Sequence, residues 1–395
     1  MKYDFVLFEH LYNVQNHYKD LSNLAILLKT AGYKVAIADA FKEADLCKVD
    51  GIPHISLNIK CPKEYKTPRA YEPKKSALKK FCDRIQKDIY IYKVIKQLNN
   101  VASNIYIGSL TPATYTLFVK AFNANTVYYM WALRSSYLLK WKKPNLGGLS
   151  IISLFLFRNV KKYQNLRLIV SNQLIKREFI EKVGIEHTRL LQRPERFIVE
   201  RNNIELQKRY NKTLNLLFIG TLRPEKNVEF CIAALSRLNN PNIYYTIAGR
   251  CKTDEVYNKK IEKLIEGMHN VYRIDRYIPE EEYNRLINEC DFLILCDKPQ
   301  TSCASNGTMS EALLMGKPII APDINPFKYE VETYGVGYLY KYGDIDSLCS
   351  VLLKAQDMGI EQFQEKLSSY QNMYILDKVA DDLKKQIKSN MVCGI

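Results

Sequence analysis

Between Asp88 and Glu178 this sequence has no aspartate or glutamate, although the span carries thirteen Lys+Arg. The gap dominates the charge map. Residues 1–210 hold 36 Lys+Arg against 17 Asp+Glu, and the remainder holds 22 against 25. A basic half of this kind is expected to meet something anionic. Other absences narrow the choice. The ten cysteines form no CxxC, and the spacing of Cys290 and Cys296 matches no zinc pattern, so reduced thiols of a cytoplasmic protein are expected. The longest apolar run, Leu146 to Phe157, has 12 residues with two glycines and two serines, too short to span a bilayer. The opening MKYDFVLF lacks a charged region followed by a long apolar run, and no signal peptide is expected there. No nucleic-acid module is present, and the basic span lacks the glycine–aromatic pattern of an RNA-binding sheet. The Asp-x-Asp letters occur at Asp344-Ile345-Asp346, in a polar turn where a helix cap is expected. No carboxylate pair is therefore placed to carry Mg²⁺ or Mn²⁺ on a diphosphate.

What is present is a globular chain of 395 residues, 47% hydrophobic and 25% charged, long enough for two domains. It opens strand, helix, strand: Asp4 to Phe8, then Lys19 to Thr30 with leucines on helical spacing, then Lys34 to Ala38. Later buried strands are expected at Asn104 to Ile107, Thr126 to Met130 and Leu166 to Ser171, with a helix from about Gln173 to Val183. Residues Glu200 to Thr213 are polar and aperiodic, which places the boundary. After it the rhythm restarts: strands at Leu214 to Ile219, Ile243 to Ala248, Val271 to Ile274, Phe292 to Leu295 and Pro318 to Ala321. Helices at Asn227 to Leu238, Glu255 to Glu266, Glu280 to Glu289 and Thr308 to Met315 alternate with them. The expected architecture is α/β, with two doubly wound Rossmann-like domains at 1–200 and 201–375. A terminal helix over 376–395 is expected to cross back to the first.

Two segments carry chemistry. Gly220-Thr221-Leu222-Arg223-Pro224-Glu225-Lys226 follows a strand and precedes a helix. A glycine there lets a ligand approach the backbone, and two cations three residues apart suit a diphosphate. The second is Ser305-Asn306-Gly307-Thr308-Met309-Ser310-Glu311, running on through Gly316-Lys317-Pro318 to Ala321. The amides of Asn306, Gly307 and Thr308 at a helix start would cradle an anion. Glu311, one turn in, is placed to accept hydrogen bonds from ribose hydroxyls. Solvated surface cations and a helix-end carboxylate are the plain alternatives.

Together the two segments resemble the donor-binding domain of family 4 glycosyltransferases, most closely over residues 212–345. Gly220 and Lys226 match the form G-x-x-x-x-x-K, whose commoner version has arginine where this chain has Thr221, and Arg223 matches the variant G-x-x-R-P-x-K. Glu311-Ala312, Gly316, Pro318, Ile319, Ile320 and Ala321 match E-A-x-x-x-G-x-P-V-I-A. Ala248-Gly249 and Ile278 to Tyr283 also fit. The chain departs from the family at Cys303, where a second glutamate is common. It also departs at Asn16-His17, where paired glycines are common, and at Tyr129-Met130-Trp131, where many members carry a histidine.

The resemblance implies a GT-B fold, two such domains facing a central cleft. It implies transfer of a sugar from a nucleotide-sugar to a saccharide or lipid-linked acceptor, with retention and with neither metal nor cofactor. Surface polysaccharide or glycoconjugate synthesis is the setting it suggests. Donor contacts fall to Gly220, Arg223, Lys226, Asn306, Gly307, Thr308 and Glu311, with Arg223 and Lys226 stabilising the leaving diphosphate. On the acceptor side His10, Asn16, His17 and Arg134 stand by position, with no catalytic base assigned and His10 and His17 the candidates by position alone. The stretch Tyr137 to Lys143, then Leu146 to Phe157, then Arg158, Lys161 and Lys162, sets cations around an apolar core. It predicts peripheral attachment to an anionic membrane face. The rival reading is a GT-B-shaped binding partner that has lost turnover.

Overall fold

A computed structural model describes residues 2–9, 15–39, 49–59, 76–109, 116–132, 163–199, 213–251, 255–299, 303 and 306–392. The chain divides into two compact units, 1–195 with 376–395, and 196–375.

The first unit holds a parallel seven-stranded sheet. Its strands are β1 (Tyr3–Phe8), β2 (Val35–Asp39), β3 (His54–Ser56), β4 (Ala102–Ser109), β5 (Val127–Trp131), β6 (Leu166–Val170) and β7 (Leu190–Gln192), in the order β3-β2-β1-β4-β5-β6-β7. Parallel strands are joined by crossovers that cover both faces, so their residues are apolar without alternation. Phe5 to Phe8 are buried accordingly, and β6 is buried throughout although it carries Arg167. The helix Gln15–Thr30 runs from β1 to β2 and buries Leu21, Leu24, Ala25, Leu27 and Leu28. A helix absent from the sequence reading, Ala77–Leu98, begins at Ser76, whose hydroxyl accepts from the Lys79 amide at 3.3 Å. It buries Tyr90, Ile91, Val94, Ile95 and Leu98, a helical stripe. The helix expected to reach Val183 is α-helical only over Gln173–Glu178 and widens to a π turn over Phe179–Val183.

The terminal helix, Leu376–Val392, packs on Gln15–Thr30 within this first unit. Its Leu383 and Ile387 close an apolar gap with Phe5, Leu24 and Leu28. The Gln386 amide exchanges two hydrogen bonds with the Gln192 backbone, at 2.7 and 3.0 Å.

The second unit holds a parallel six-stranded sheet: β8 (Leu214–Ile219), β9 (Ile243–Ala248), β10 (Val271–Ile274), β11 (Phe292–Ile294), β12 (Ile319–Pro322) and β13 (Gly337–Tyr340). Their order is β10-β9-β8-β11-β12-β13. Helix Val228–Leu238 buries Val228, Cys231, Ile232, Ala234 and Leu235 against it. Lys317 is buried and structural: its ammonium donates to the carbonyls of Asn288 and Cys290 at 2.7 and 3.0 Å, closing the carboxyl end of helix Glu280–Glu289. Asp344 caps helix Ile345–Met358 by accepting from the Ser347 amide, the cap role expected of it. Among the described residues no helix is long and apolar enough to cross a membrane.

Helix Phe327–Tyr334 carries a buried carboxylate, Glu330, beside Tyr334, Tyr370 and Tyr374. Burial raises its pKa from the ordinary 4.5 to about 7, opposed by a hydrogen bond with Tyr370. A raised folded-state pKa means stability fully present below about 4.5 and lost as pH rises through about 7. Glu330→Gln is therefore expected to match the native protein in stability at pH 4, below the unfolded-state value. At pH 8.5 it should be the more stable and melt higher, by a margin on the order of 3 kcal/mol. Equal melting temperatures at both pH values would refute this.

Candidate functional site

In an open parallel sheet, ligands bind outside the carboxyl ends of the strands where the winding reverses. In the second unit that point lies between β8 and β11. The sequence supplies a glycine immediately after β8, and Gly220 takes φ +138°, a conformation open to glycine alone at little cost. Its neighbours are tight. A Cβ on Gly249, just beyond β9, would lie 1.9 Å from the Gly220 carbonyl oxygen. A Cβ on Gly220 would lie 3.7 Å from the Thr308 hydroxyl, so the turn after β8 faces the start of helix Gly307–Leu314. The backbone approach expected at Gly220 is thus built by two glycines, and Gly220 and Thr308 are brought together.

The turn continues through a 3-10 segment, Pro224–Lys226, and Asn227 adopts a left-handed conformation before helix Val228–Leu238. Here the structure departs from a pair of free cations. The Lys226 ammonium is held 2.6 Å from Asp297 Oδ1, and Arg223 Nε lies 3.3 Å from Glu225. Asp297 stands just past β11, so the pair bridges the reversal point itself. The Lys298 amide donates to the Glu225 carbonyl at 2.9 Å and ties the two loops. Lys226 is largely covered, whereas the Arg223 side chain is about half exposed. Burial raises the Asp297 pKa, and the Lys226 and Arg223 charges oppose that rise.

Asn306 is the N-cap of helix Gly307–Leu314: its side-chain oxygen accepts from the Met309 amide at 3.1 Å. The cap uses one orphan donor and leaves the amides of the first turn at the helix start. Glu311, one turn on, is gripped from two sides. Arg196 Nε lies 2.9 Å from Oε1, and the Tyr283 hydroxyl donates to Oε2 at 2.6 Å. Burial, with the Glu311 charge beside it, raises the Tyr283 pKa further above its ordinary value. Each carboxylate oxygen retains a lone pair for a ligand hydroxyl.

Arg196, Tyr283 and Asp297 are thus site residues that the sequence reading did not assign. Tyr283 lay inside a motif and could have been found. Arg196 and Asp297 lie 115 and 71 positions from their partners, and no local spacing signals them. Of the acceptor-side candidates, Asn16 and His17 fall in the first turn of helix Gln15–Thr30, described there by backbone alone. His10 and Arg134 lie outside the described residues, as does the basic apolar stretch of Tyr137 to Lys162.

At the reversal point of the first sheet, between β1 and β4, other groups stand out. Glu9 follows β1 and is buried, and a Cβ on Gly108 would come within 2.3 Å of its carboxylate, so a larger residue there would displace the Glu9 side chain. Beyond β7, Arg193 is buried with its guanidinium 4.3 Å from the centre of the Trp131 ring, a cation–π contact.

Residues 199–374 match the family Glycosyl transferases group 1. The group 1 segment is just under half of the chain and contains both reversal-point motifs. A curated relative, the GDP-mannose:glycolipid 4-beta-D-mannosyltransferase of Xanthomonas campestris, is 24% identical over 133 residues, 33% of this chain. The aligned region spans only 37% of that relative's length. Among solved structures, a glycosyltransferase from Rickettsia africae shares the fold with a TM-score of 0.65 and 15% identity, over 99% of this chain and 98% of its own. The Anabaena Alr3699/HepE protein in complex with UDP-glucose gives 0.61 and 14%, over 98% and 99%. The α/β fold with two parallel sheets is that of GT-B glycosyltransferase structures.

Proposed function

We propose that the protein is a glycosyltransferase that takes a sugar from a nucleotide-sugar bound by the second unit and passes it to a saccharide or lipid-linked acceptor. The observation that carries this reading is the pair of motifs meeting at the reversal point of the second sheet, where Gly220 faces Thr308 and Lys226 stands over the end of β11. The chemistry asked of the site is electrostatic. As the glycosidic bond to the diphosphate breaks, negative charge grows on the leaving oxygen. Arg223, Lys226 and the amides at Gly307 and Thr308 would stabilise that charge from the positions they take once the diphosphate is bound. Glu311, held by Arg196 and Tyr283, presents oriented acceptors suited to ribose hydroxyls.

Family 4 membership and retention at the anomeric carbon belong to the same reading. A product of inverted configuration would refute retention alone. The rival without turnover predicts donor binding but no transfer, and the kinetic measurements below separate the two. Among known proteins, the Xanthomonas relative named for GDP-mannose and a glycolipid and the Anabaena protein bound to UDP-glucose support a nucleotide-sugar donor. The glycolipid in the first name supports a lipid-linked acceptor.

Lys226→Ala and Arg223→Ala are each expected to cost about 2–4 kcal/mol of transition-state stabilisation, read as kcat/KM for the donor. Activity within threefold of the native protein in both variants would sink the assignment. Metal independence is the second expectation, from the missing carboxylate pair: transfer should survive excess EDTA. Loss on chelation with recovery on adding Mn²⁺ or Mg²⁺ would contradict it. The third expectation concerns the basic half. Anionic liposomes should co-sediment the protein at low salt and release it at high salt, and neutralising Lys140, Lys142 and Lys143 together should weaken attachment. Equal partition to neutral and anionic vesicles would end the membrane reading.

A further inference from the structure

Asp297 does not fit a site built only to attract a diphosphate. It lies at the reversal point, is 1% exposed, and spends one oxygen on the Lys226 ammonium at 2.6 Å. Its other oxygen, Oδ2, is buried with no hydrogen-bond partner among the described residues. The groups facing it are Lys226 and Arg223 from the turn after β8, Tyr340 from β13 and Cys296 beside it. The Tyr340 hydroxyl donates elsewhere, to the Leu295 carbonyl at 3.2 Å. The carboxylate balances the lysine. A diphosphate changes the balance. It brings about two negative charges toward Arg223 and Lys226, and a third anion beside them is opposed by like-charge repulsion in a poorly solvated place. If Lys226 turned wholly to the phosphates, an ionised Asp297 would be left buried and uncompensated, a strongly unfavourable state. Neutralising Asp297 avoids both costs and frees the full lysine charge for the ligand.

We propose that Asp297 is the positioning residue for Lys226: it holds the ammonium at the reversal point while the site is empty and takes up a proton from solvent when the donor's diphosphate arrives. This rests on the nucleotide-sugar reading above. Its physical signature is linkage. Binding that raises the proton affinity of a group absorbs protons, and in the affected range the donor affinity falls as pH rises, by up to about tenfold per pH unit. A lysine with a merely structural partner would show no such uptake. Nucleotide-sugars suit the test because their diphosphate, esterified at both ends, does not itself titrate near neutrality.

The experiment is calorimetric titration of the whole protein with UDP-glucose and with GDP-mannose, from pH 6 to 9, in phosphate and in Tris. The difference in apparent enthalpy between the two buffers counts protons. The native protein should take up a substantial fraction of one proton per donor bound and lose affinity with rising pH. Asp297→Asn should bind without uptake and without that pH dependence. Asp297→Glu should restore the uptake. Uptake that persists unchanged in Asp297→Asn overturns the inference. So does a native protein that binds donor with no uptake anywhere in the range, a result that needs no variant to fold. Failure of the folded native protein to bind either nucleotide-sugar overturns the donor reading and this inference with it, whereas binding without uptake leaves the donor reading standing.

Discussion

A parallel strand cannot return by a hairpin, and the whole second unit follows from that constraint. Each crossover lays a helix on the sheet, and the central strands β8, β11 and β12 are largely buried and apolar. Polar chemistry is then confined to the strand ends. It is least crowded where successive crossovers part to opposite sides, between β8 and β11. The turn that leaves β8 must be narrow to let Gly249 and the start of helix Gly307–Leu314 come up beside it, and Gly220 supplies the backbone conformation. The first unit obeys the same rule with different contents: Glu9 and Gly108 stand at its own reversal point, β1 beside β4.

The groups at the second reversal point are few and coupled. Lys226 is neutralised by Asp297, Arg223 partly by Glu225, and Glu311 by Arg196 with Tyr283. An uncompensated charge in a covered place is costly, so the site is balanced pair by pair. A polyanionic ligand therefore exchanges one set of ion pairs for another instead of meeting bare cations. The net electrostatic gain on binding is smaller than a count of positive residues implies, and the orientation of each cation is better defined.

Local pattern made much of this protein legible. In the second unit the strands Leu214–Ile219, Ile243–Ala248 and Val271–Ile274 and the helix Glu280–Glu289 lie where the apolar runs and the acidic first turn place them. Periodicity there is short-range, and turn residues punctuate it cleanly. The first unit was less legible for a physical reason. Helix Ala77–Leu98 wraps its buried stripe in lysines, and its net charge distracts from the spacing of Tyr90, Val94 and Leu98. Strand β3 has three residues, too few for any period to show.

Two doubly wound units, the positions of both glycine-bearing turns, and the cations and carboxylate that follow them can be read along the chain. Those features depend on residues within a few positions of each other, where backbone preference and periodicity act. What each charged group meets is set by the folding of distant segments together. Parallel topology brings β11 beside β8 and so sets Asp297, 71 residues away in the chain, against Lys226. The fold likewise brings Arg196 to Glu311 across 115 residues. Such partners are chosen by packing in three dimensions, and a charge read along the chain carries no record of its counterion.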